Sequence, residues 1–391
     1  MKKILVIVPD MNLGGITTSV INFCNELNKR GNHVCFLNMG EKNKFFENKM
    51  EEDVKQIHLI GLASKWQLGM SDFKTANFVK KIKLIPLALL KKLTNKSGKW
   101  LDIIFHGYSI TEEYDAVVAF RQCAPCYYFA LKCTNAKNKI AFIHGDINYM
   151  GNISSWDVYF DKFDKIACVS NAVRDGFQKR YQGIHTKFIT VYNMFNIPEI
   201  LEMSKNNYES FVIDKSYCNI VTVSRIENET KRINIIPRVC KILKDNGCSK
   251  FHWYVVGDGP DLEQDMILSE KLCTNDVLTF CGSMDNPYSM IKQSSFTVLP
   301  SKTEAYSMVV LESLILGIPI VVSRYNGVEE AVDDGITGLI VDQSVEDLSA
   351  KVQLLITNKN ELNKLYTNLM KIEINNDMAY HQFINYICQQ D

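Results

Sequence analysis

Short apolar runs alternate with amphipathic helical patterns along most of the chain, and this alternation limits the folds that it can adopt. Residues 4–8 predict a buried strand, residues 16–29 a helix and residues 33–38 a second strand. Further strands are predicted at 116–120, 140–143, 166–169, 188–191, 219–224, 251–256, 277–280, 296–299 and 318–322, and helices at 171–181, 234–244, 261–272 and 306–316. Such alternation is typical of parallel sheets with crossover helices on both faces.

A polar stretch interrupts this pattern between residues 193 and 217, and a new series of strands begins at residue 219. We therefore predict an α/β protein of two doubly wound, Rossmann-like domains, residues 1–195 and 196–369, whose strand ends line an interdomain cleft. The helical pattern after residue 358 has no strand behind it. We expect a C-terminal helix at about 370–391 to pack back on the first domain.

Composition and charge exclude several classes of protein. The 391 residues include 44 Lys and Arg and 44 Asp and Glu, whereas nucleic-acid affinity depends on concentrated positive charge, so we expect no nucleic-acid partner. No apolar run reaches the roughly 20 residues of a membrane-spanning helix, and the first run ends at Pro9 without a cleavage site. The twelve dispersed cysteines, with Cys123 and Cys126 as the one C-x-x-C, suit reduced thiols in a cytoplasmic chain.

Chemistry in such a fold belongs to the loops that follow strands. Gly14 and Gly15 follow the first predicted strand and open the first helix, where glycines let a backbone approach an anion at the helix N-terminus. Their spacing is not that of the G-x-G-x-x-G dinucleotide fingerprint. Two interpretations of these glycines remain open: a tight strand–helix turn, and a site for a phosphate or an acceptor.

A second group of candidates carries positive charge. Arg225 follows a strand end and Lys231 precedes the next helix. A guanidinium and an ammonium at the mouth of a cleft suit a diphosphate whose charge grows as it leaves, although an ordinary solvated pair has the same pattern. Gly257 lies in a strand–helix loop that suits a tight turn.

Two carboxylates are the most informative candidates. Glu304 lies in the loop that leaves strand 296–299, and Glu312 lies in the helix that follows, with apolar residues on both sides. A carboxylate in so apolar a helix is costly to bury without partners, and the hydroxyl groups of a ribose or hexose would satisfy it. We therefore favour a functional carboxylate at 312 over one on a polar face.

His144 ends strand 140–143 in the first domain. An imidazole at a strand end can hydrogen-bond a sugar or take part in proton transfer, and a lone histidine is also often structural. Both interpretations remain open.

A lysine-rich segment at residues 74–100 predicts a membrane-surface contact. It contains eight lysines and no acidic residue, and residues 82–93 between them are largely apolar. This stretch is too short to span a bilayer, but it suits the interface of an anionic membrane. A core-packing helix with a solvated edge is the alternative.

The region 300–319 resembles the E-x7-E motif of the family 4 glycosyltransferases, which are retaining enzymes of the GT-B architecture. Glu304 and Glu312 are separated by seven residues, and Gly317 and Pro319 follow as they do in that family. The resemblance covers most of the chain, and it is of the bacterial surface-polysaccharide type. Ser224, Ala305 and Ser307 stand where that family commonly has glycine, so the transferred sugar stays unspecified.

The resemblance implies a role for each candidate. Glu312 would hold the ribose hydroxyls, Glu304 the donor sugar, and Arg225 and Lys231 the diphosphate, while His144 would approach the transferred sugar beside Glu304 in the catalytic centre. Further donor contacts are implied for Gly14, Gly15, Gly257, Ala305, Tyr306, Ser307 and Met308. No metal and no other cofactor are implied, because the family needs no divalent cation and this sequence has no D-x-D.

The sequence therefore predicts a glycosyltransferase that moves a hexose or N-acetylhexosamine from a nucleotide sugar, with a UDP-sugar expected, to a glycan acceptor. We expect that acceptor to be lipid-linked, in surface polysaccharide biosynthesis, with the enzyme peripheral on the inner face of the cell membrane. Two alternatives remain, a nucleotide-sugar epimerase on the same fold and a non-catalytic partner subunit.

Overall fold

The computed structural model describes residues 1–11, 14–41, 43, 47–59, 99–151, 153–206 and 213–388. They form two compact units, Met1–Phe195 with the chain from Asn376 onward, and Asn196–Asn375. The chain thus enters the second unit at residue 196 and returns to the first at residue 376.

The first unit is built on a parallel sheet of seven strands in the order β3-β2-β1-β4-β5-β6-β7. The strands are β1 (Lys3–Val8), β2 (His33–Asn38), β3 (Lys55–His58), β4 (Ile110–Ala119), β5 (Thr134–Ile143), β6 (Lys165–Cys168) and β7 (Phe188–Thr190). The helices are α1 (Gly15–Lys29), α2 (Lys99–Ile104), α3 (Ala124–Lys132) and α4 (Asn171–Arg180), with 3-10 turns at Ile153–Ser155, Asp157–Lys162 and Gln182–Lys187.

The second unit is built on a parallel sheet of six strands in the order β10-β9-β8-β11-β12-β13. The strands are β8 (Cys218–Val223), β9 (Phe251–Val256), β10 (Leu278–Gly282), β11 (Phe296–Leu299), β12 (Ile320–Ser323) and β13 (Gly338–Val341). The helices are α5 (Ile197–Met203), α6 (Ile236–Asp245), α7 (Leu262–Lys271), α8 (Tyr288–Gln293), α9 (Met308–Ile315), α10 (Val345–Thr357) and α11 (Lys359–Leu369), with 3-10 turns at Ile233–Ile235 and Val328–Glu330.

The last helix, α12 (Asp377–Cys388), packs on the first unit. Its Phe383 is fully buried and meets Phe23 of α1 edge to face, with ring centroids 4.9 Å apart. Arg30 at the end of α1 forms an ion pair of 2.6 Å with Asp377. A buried aromatic contact and a charge pair therefore fix this helix against α1.

Burial explains why the central strands form. In β1 the side chains of residues 4–7 are fully buried, as expected for a parallel strand covered on both faces. The outer strand β3 has no apolar run, because its residues are exposed or half-buried. Sequence patterns therefore predicted the central strands and missed β3 and the four-residue β13.

Both sheets reverse their strand order at the centre, between β1 and β4 in the first unit and between β8 and β11 in the second. This confirms the predicted doubly wound α/β architecture. Ligands of such sheets bind beyond the carboxyl ends of the strands at the reversal.

Candidate functional site

The two central strands of the second sheet end in the candidate residues. Ser224 and Arg225 follow β8, and the segment that leads to Glu304 follows β11. These strands are parallel neighbours, with Thr297 opposite Val221. The segments after them therefore leave the sheet side by side, at the place where the strand order reverses.

Gly257 and Gly259, which follow β9, let the backbone come into close contact with the segment that carries Arg225. A Cβ atom on Gly257 would lie 1.9 Å from the carbonyl oxygen of Ser224, and the φ of Gly257 is 143°. A Cβ atom on Gly259 would lie 2.1 Å from the carbonyl oxygen of Ile226. Any side chain at either glycine would displace the segment around Arg225, whose own side chain is exposed.

Lys231 and Glu304, predicted to contact different parts of one ligand, contact each other. The Nζ of Lys231 donates to Oε1 of Glu304 at 2.7 Å, and the Oγ of Ser301 donates to the same oxygen at 2.7 Å. The two loops are also joined through the backbone, since the amide of Lys302 donates to the carbonyl of Thr230 at 2.7 Å. The structure thus brings a cation and a carboxylate together beside β11.

Glu312 lies in α9 and is 6% exposed. The hydroxyl of Tyr288 in α8 donates to its Oε1 at 3.3 Å. Burial raises the pKa of Glu312 to about 7, and the Tyr288 hydrogen bond opposes that rise. The carboxyl group is therefore turned inward, close to half-ionised at neutral pH, and short of the donors that a buried carboxylate needs.

Residues 305–308 connect the two carboxylates. Ser307 is the N-cap residue of α9 and is 5% exposed, but its side chain makes no capping hydrogen bond. Ala305, Tyr306 and Met308 are half-buried, and burial raises the pKa of Tyr306 to about 12. The start of α9 therefore follows Glu304 along the chain and precedes Glu312 by one helical turn.

Three candidates belong to the first unit. Gly14 is the N-cap residue of α1 with a φ of 151°, and Gly15 begins that helix. The Nε2 of His144 donates to the carbonyl of Phe120 at 2.8 Å, since a carbonyl can only accept. Burial lowers the pKa of His144 to about 4, so the ring is neutral and its Nδ1 is an acceptor.

Sequence reasoning missed several polar residues of both units. In the second unit these are Tyr288 and Ser301, which contact the two candidate carboxylates. In the first unit Arg121 and Asp10, which follow β4 and β1, form an ion pair of 2.7 Å. A polar residue directly after a central strand would have been the signal for this last pair, whereas Tyr288 has no such signal.

The lysine-rich segment at 74–100 lies, up to residue 98, outside the described residues. Within the described ranges, no helix has the length and apolar character that crossing a membrane requires. Nor does that part of the chain bring together three His, Cys, Asp or Glu side chains suited to a metal ion. All twelve cysteines are free, and most are buried.

Residues 203–371 match the family described as glycosyl transferases group 1. A glycosyltransferase of Methanocaldococcus jannaschii that is itself uncharacterised is 26% identical over 253 residues, 61% of this chain and 66% of the relative. The N-acetyl-alpha-D-glucosaminyl L-malate synthase of Bacillus anthracis is 23% identical over 264 residues, 66% of this chain and 65% of the relative. The alignments span about two thirds of the length of these relatives.

Solved structures match over the whole chain. S. aureus TarM, in a complex with Fondaparinux, alpha-GlcNAc-glycerol and UDP, has a TM-score of 0.70 at 13% identity, with 100% of both chains covered. HepE of Anabaena, in a complex with UDP and glucose, has a TM-score of 0.70 at 14% identity, also with 100% of both chains covered. At such identities the likeness shows the fold, and it confirms the predicted GT-B class. The family match and the relatives support a transferase.

Proposed function

We propose, from the premise that residues 203–371 form a glycosyl transferases group 1 domain, that this protein is a retaining glycosyltransferase. It moves a hexose or N-acetylhexosamine from a nucleotide sugar to a glycan acceptor. We place this reaction in surface polysaccharide biosynthesis, as the resemblance of the sequence implies.

One observation carries the proposal: the ends of β8 and β11 gather acidic and basic groups that match the parts of a nucleotide sugar. Glu312 is buried beside α8 and needs hydrogen-bond donors, which the two hydroxyls of a ribose supply. Arg225 is exposed in the segment that follows β8. Lys231, in the same segment, forms an ion pair with Glu304. Two cations suit a diphosphate, and Glu304 suits the hydroxyls of the sugar.

The proposed reaction breaks the bond between the anomeric carbon and the diphosphate oxygen. The acceptor hydroxyl attacks that carbon from the same face, and its proton passes to the departing phosphate oxygen. Negative charge grows on the diphosphate as it leaves, and Arg225 and Lys231 stabilise that charge. The carboxylates hold the ribose and the sugar in place, so positioning supplies much of the rest.

For His144 we propose a contact with the transferred sugar. Its neutral ring keeps Nε2 on the carbonyl of Phe120, which leaves Nδ1 to accept a sugar hydroxyl. For Gly14 and Gly15 we propose close approach to the phosphates, because the N-terminus of α1 favours an anion.

A UDP-sugar is the proposed donor. Two proteins of the same fold, TarM and HepE, have been solved with UDP, the first with alpha-GlcNAc-glycerol and the second with glucose. The Bacillus anthracis relative is named for N-acetylglucosaminyl transfer. These names support both sugar classes in the proposal.

A thermal-shift titration with UDP-, GDP- and ADP-sugars tests the donor. A ligand at 100 times its dissociation constant stabilises a protein by about 2.7 kcal/mol, and we expect a UDP-sugar to do so. Arg225→Ala and Glu312→Gln should each reduce that shift, whereas Arg238→Ala, an exposed arginine of α6, should leave it unchanged. No shift with any sugar nucleotide would refute the proposal.

Product analysis separates transfer from epimerisation. Incubation with the donor alone should leave the sugar nucleotide intact apart from slow hydrolysis, whereas an epimerase would return an isomerised sugar nucleotide. We also expect activity to survive chelation by EDTA, because Arg225 and Lys231 supply the positive charge at the diphosphate. Activity lost to EDTA and restored by Mg²⁺ would overturn that part.

For the acceptor we propose a lipid-linked glycan, on the strength of the lysines at 74–100 alone. Replacing Lys80, Lys81, Lys83, Lys91 and Lys92 with glutamate should release the protein from vesicles that contain anionic lipid. The matched control replaces five exposed lysines elsewhere, at positions 179, 205, 215, 359 and 371. Unchanged co-sedimentation of the first variant would refute the membrane contact and leave the transferase proposal standing.

A further inference from the structure

The segment that follows β12 carries a buried hydroxyl group with no hydrogen-bond partner. Tyr325 is 6% exposed, and its Oη is shielded from solvent and unpaired. A phenylalanine would fill the same space without the cost of an unpaired polar atom. The hydroxyl therefore needs an explanation other than packing.

This segment lies beside the loop of Glu304. β11 and β12 are parallel neighbours with Leu299 opposite Val322, so the residues after both strands leave the sheet together. Tyr325 also packs with Leu299 in one apolar cluster. Burial and then the negative charge of Glu304 raise the pKa of Tyr325, which agrees with this proximity.

Gln343 joins the two segments directly. Its side-chain amide donates to the carbonyl of Lys302 at 2.9 Å and to the carbonyl of Arg324 at 2.7 Å. Lys302 is two residues before Glu304, and Arg324 is next to Tyr325. The loop of Glu304 and the segment of Tyr325 are therefore held together as one piece.

Glu304 exchanges a partner if the proposed function holds. Without donor, Lys231 and Ser301 both bind its Oε1 at 2.7 Å. The diphosphate of a donor carries more negative charge than one carboxylate, so it draws the ammonium of Lys231 toward itself. The carboxylate then loses a charged partner at the moment when it must hold the sugar.

We propose that Tyr325 is a positioning residue for Glu304. Once the diphosphate has bound the ammonium of Lys231, the hydroxyl of Tyr325 donates a hydrogen bond to the carboxylate of Glu304. This inference rests on the proposed function, which it extends by a residue to which the sequence analysis assigned no role. A hydrogen bond from a hydroxyl to a carboxylate is strong. Because it forms only with donor bound, it stabilises the complex and not the free protein.

Tyr325→Phe tests the proposal through two opposite effects. The melting temperature of the ligand-free protein should rise or stay level, since an unpaired hydroxyl is removed. The additional stabilisation by UDP-glucose or UDP-N-acetylglucosamine should shrink, and the transfer rate should fall about tenfold. In a Glu304→Ala background, the same substitution should change the rate no further.

Tyr366→Phe is the matched control. Its hydroxyl donates to the carbonyl of Ser295 at 2.6 Å. Ser295 precedes β11, whereas the loop of Glu304 follows β11, so this hydrogen bond lies at the other end of the strand. This variant should lower the melting temperature and leave the donor-induced shift and the transfer rate unchanged.

The possible results separate the inference from the function on which it rests. If the unsubstituted protein responds to no sugar nucleotide, the proposed function fails and the role of Tyr325 fails with it. If the unsubstituted protein binds and transfers while Tyr325→Phe does so equally well, only the role of Tyr325 is overturned. A lower melting temperature of ligand-free Tyr325→Phe would also overturn it, because the hydroxyl would then be paired.

Discussion

Glu304 and Glu312 lie close together in the chain, but the structure gives their carboxylates opposite environments. Glu304 lies in a loop, where Lys231 and Ser301 donate to one of its oxygens at 2.7 Å. Glu312 lies in α9, 6% exposed, with one donor, Tyr288, at 3.3 Å. The first carboxylate is neutralised by a nearby cation, whereas burial brings the pKa of the second to about 7.

This difference suggests a division of labour between the loop and the helix. An ion pair at a partly exposed site is exchangeable, so Glu304 can give up its cation to a ligand. A buried carboxylate short of donors gains more from each hydroxyl that reaches it, because an unsatisfied buried acceptor is costly. We therefore expect Glu312 to dominate donor affinity and Glu304 to act mainly in positioning the sugar.

The largest expected effect concerns stability. Below about pH 4.5 Glu312 is protonated in both the folded and the unfolded chain. Between about pH 4.5 and pH 7 it is ionised in the unfolded chain and still largely protonated in the folded one. Its contribution to the free energy of unfolding therefore falls as pH rises through that window, by about 3 kcal/mol in total. Glu312→Gln should remove this contribution, which urea unfolding at several pH values measures as a difference from the unsubstituted protein.

The exposed Glu263→Gln in α7 is the control for that experiment and should leave the pH dependence unchanged. Parallel curves for Glu312→Gln and the unsubstituted protein would mean that the carboxyl at 312 titrates normally, and the contrast with Glu304 would disappear.

The next effect is on donor affinity. A hydrogen bond from a ribose hydroxyl to a carboxylate contributes about 1.5–3 kcal/mol, and glutamine keeps only one of the two acceptor oxygens, so Glu312→Gln should weaken UDP-sugar binding by up to about 100-fold. Glu304→Gln should weaken it by about tenfold or less and lower the transfer rate more strongly. Calorimetric titration and initial rates measure the two quantities, and equal losses of affinity would contradict the division of labour.

The sequence predicted much of the fold and part of this contrast, for physical reasons that individual residues show. Central strands such as β1 are buried on both faces, so their apolar runs are visible without coordinates. The apolar neighbours of Glu312 likewise indicated a buried carboxylate, and its 6% exposure confirms that. The roles of these residues toward a donor stay predictions.

Other features depend on contacts between distant residues. Tyr288 meets Glu312 because α8 packs beside α9, and Lys231 meets Glu304 because two loops converge after neighbouring strands. The spacing of residues in the sequence does not predict such side-chain contacts, because they depend on the order of the strands in the sheet. The edge strand β3 was missed for a related reason, because its exposed side chains show no apolar run.

A smaller effect is the pH dependence of donor binding. The ionised form of Glu312 accepts two hydroxyl donors, so affinity should rise as pH increases through about 7, by about tenfold between pH 6 and 8. His144 does not interfere, because its pKa of about 4 keeps it neutral across this range. Glu312→Gln should bind weakly and equally at both pH values, and a pH dependence that persists in this variant would assign the titration to another group.

The smallest stability effect is expected at Lys231. Its ion pair with Glu304 joins side chains that are 26% and 12% exposed, but Glu304 keeps the hydrogen bond from Ser301 when the ammonium is removed, so we expect a loss of about 1 kcal/mol. Lys231→Met should therefore barely change unfolding, like Lys244→Met, which breaks the 2.6 Å pair with Asp276 at the surface. The two variants should differ in donor affinity, where we expect about a tenfold loss for Lys231→Met and none for Lys244→Met. Equal affinities of the two variants would show that Lys231 does not bind the diphosphate. Its ion pair with Glu304 would then be purely structural.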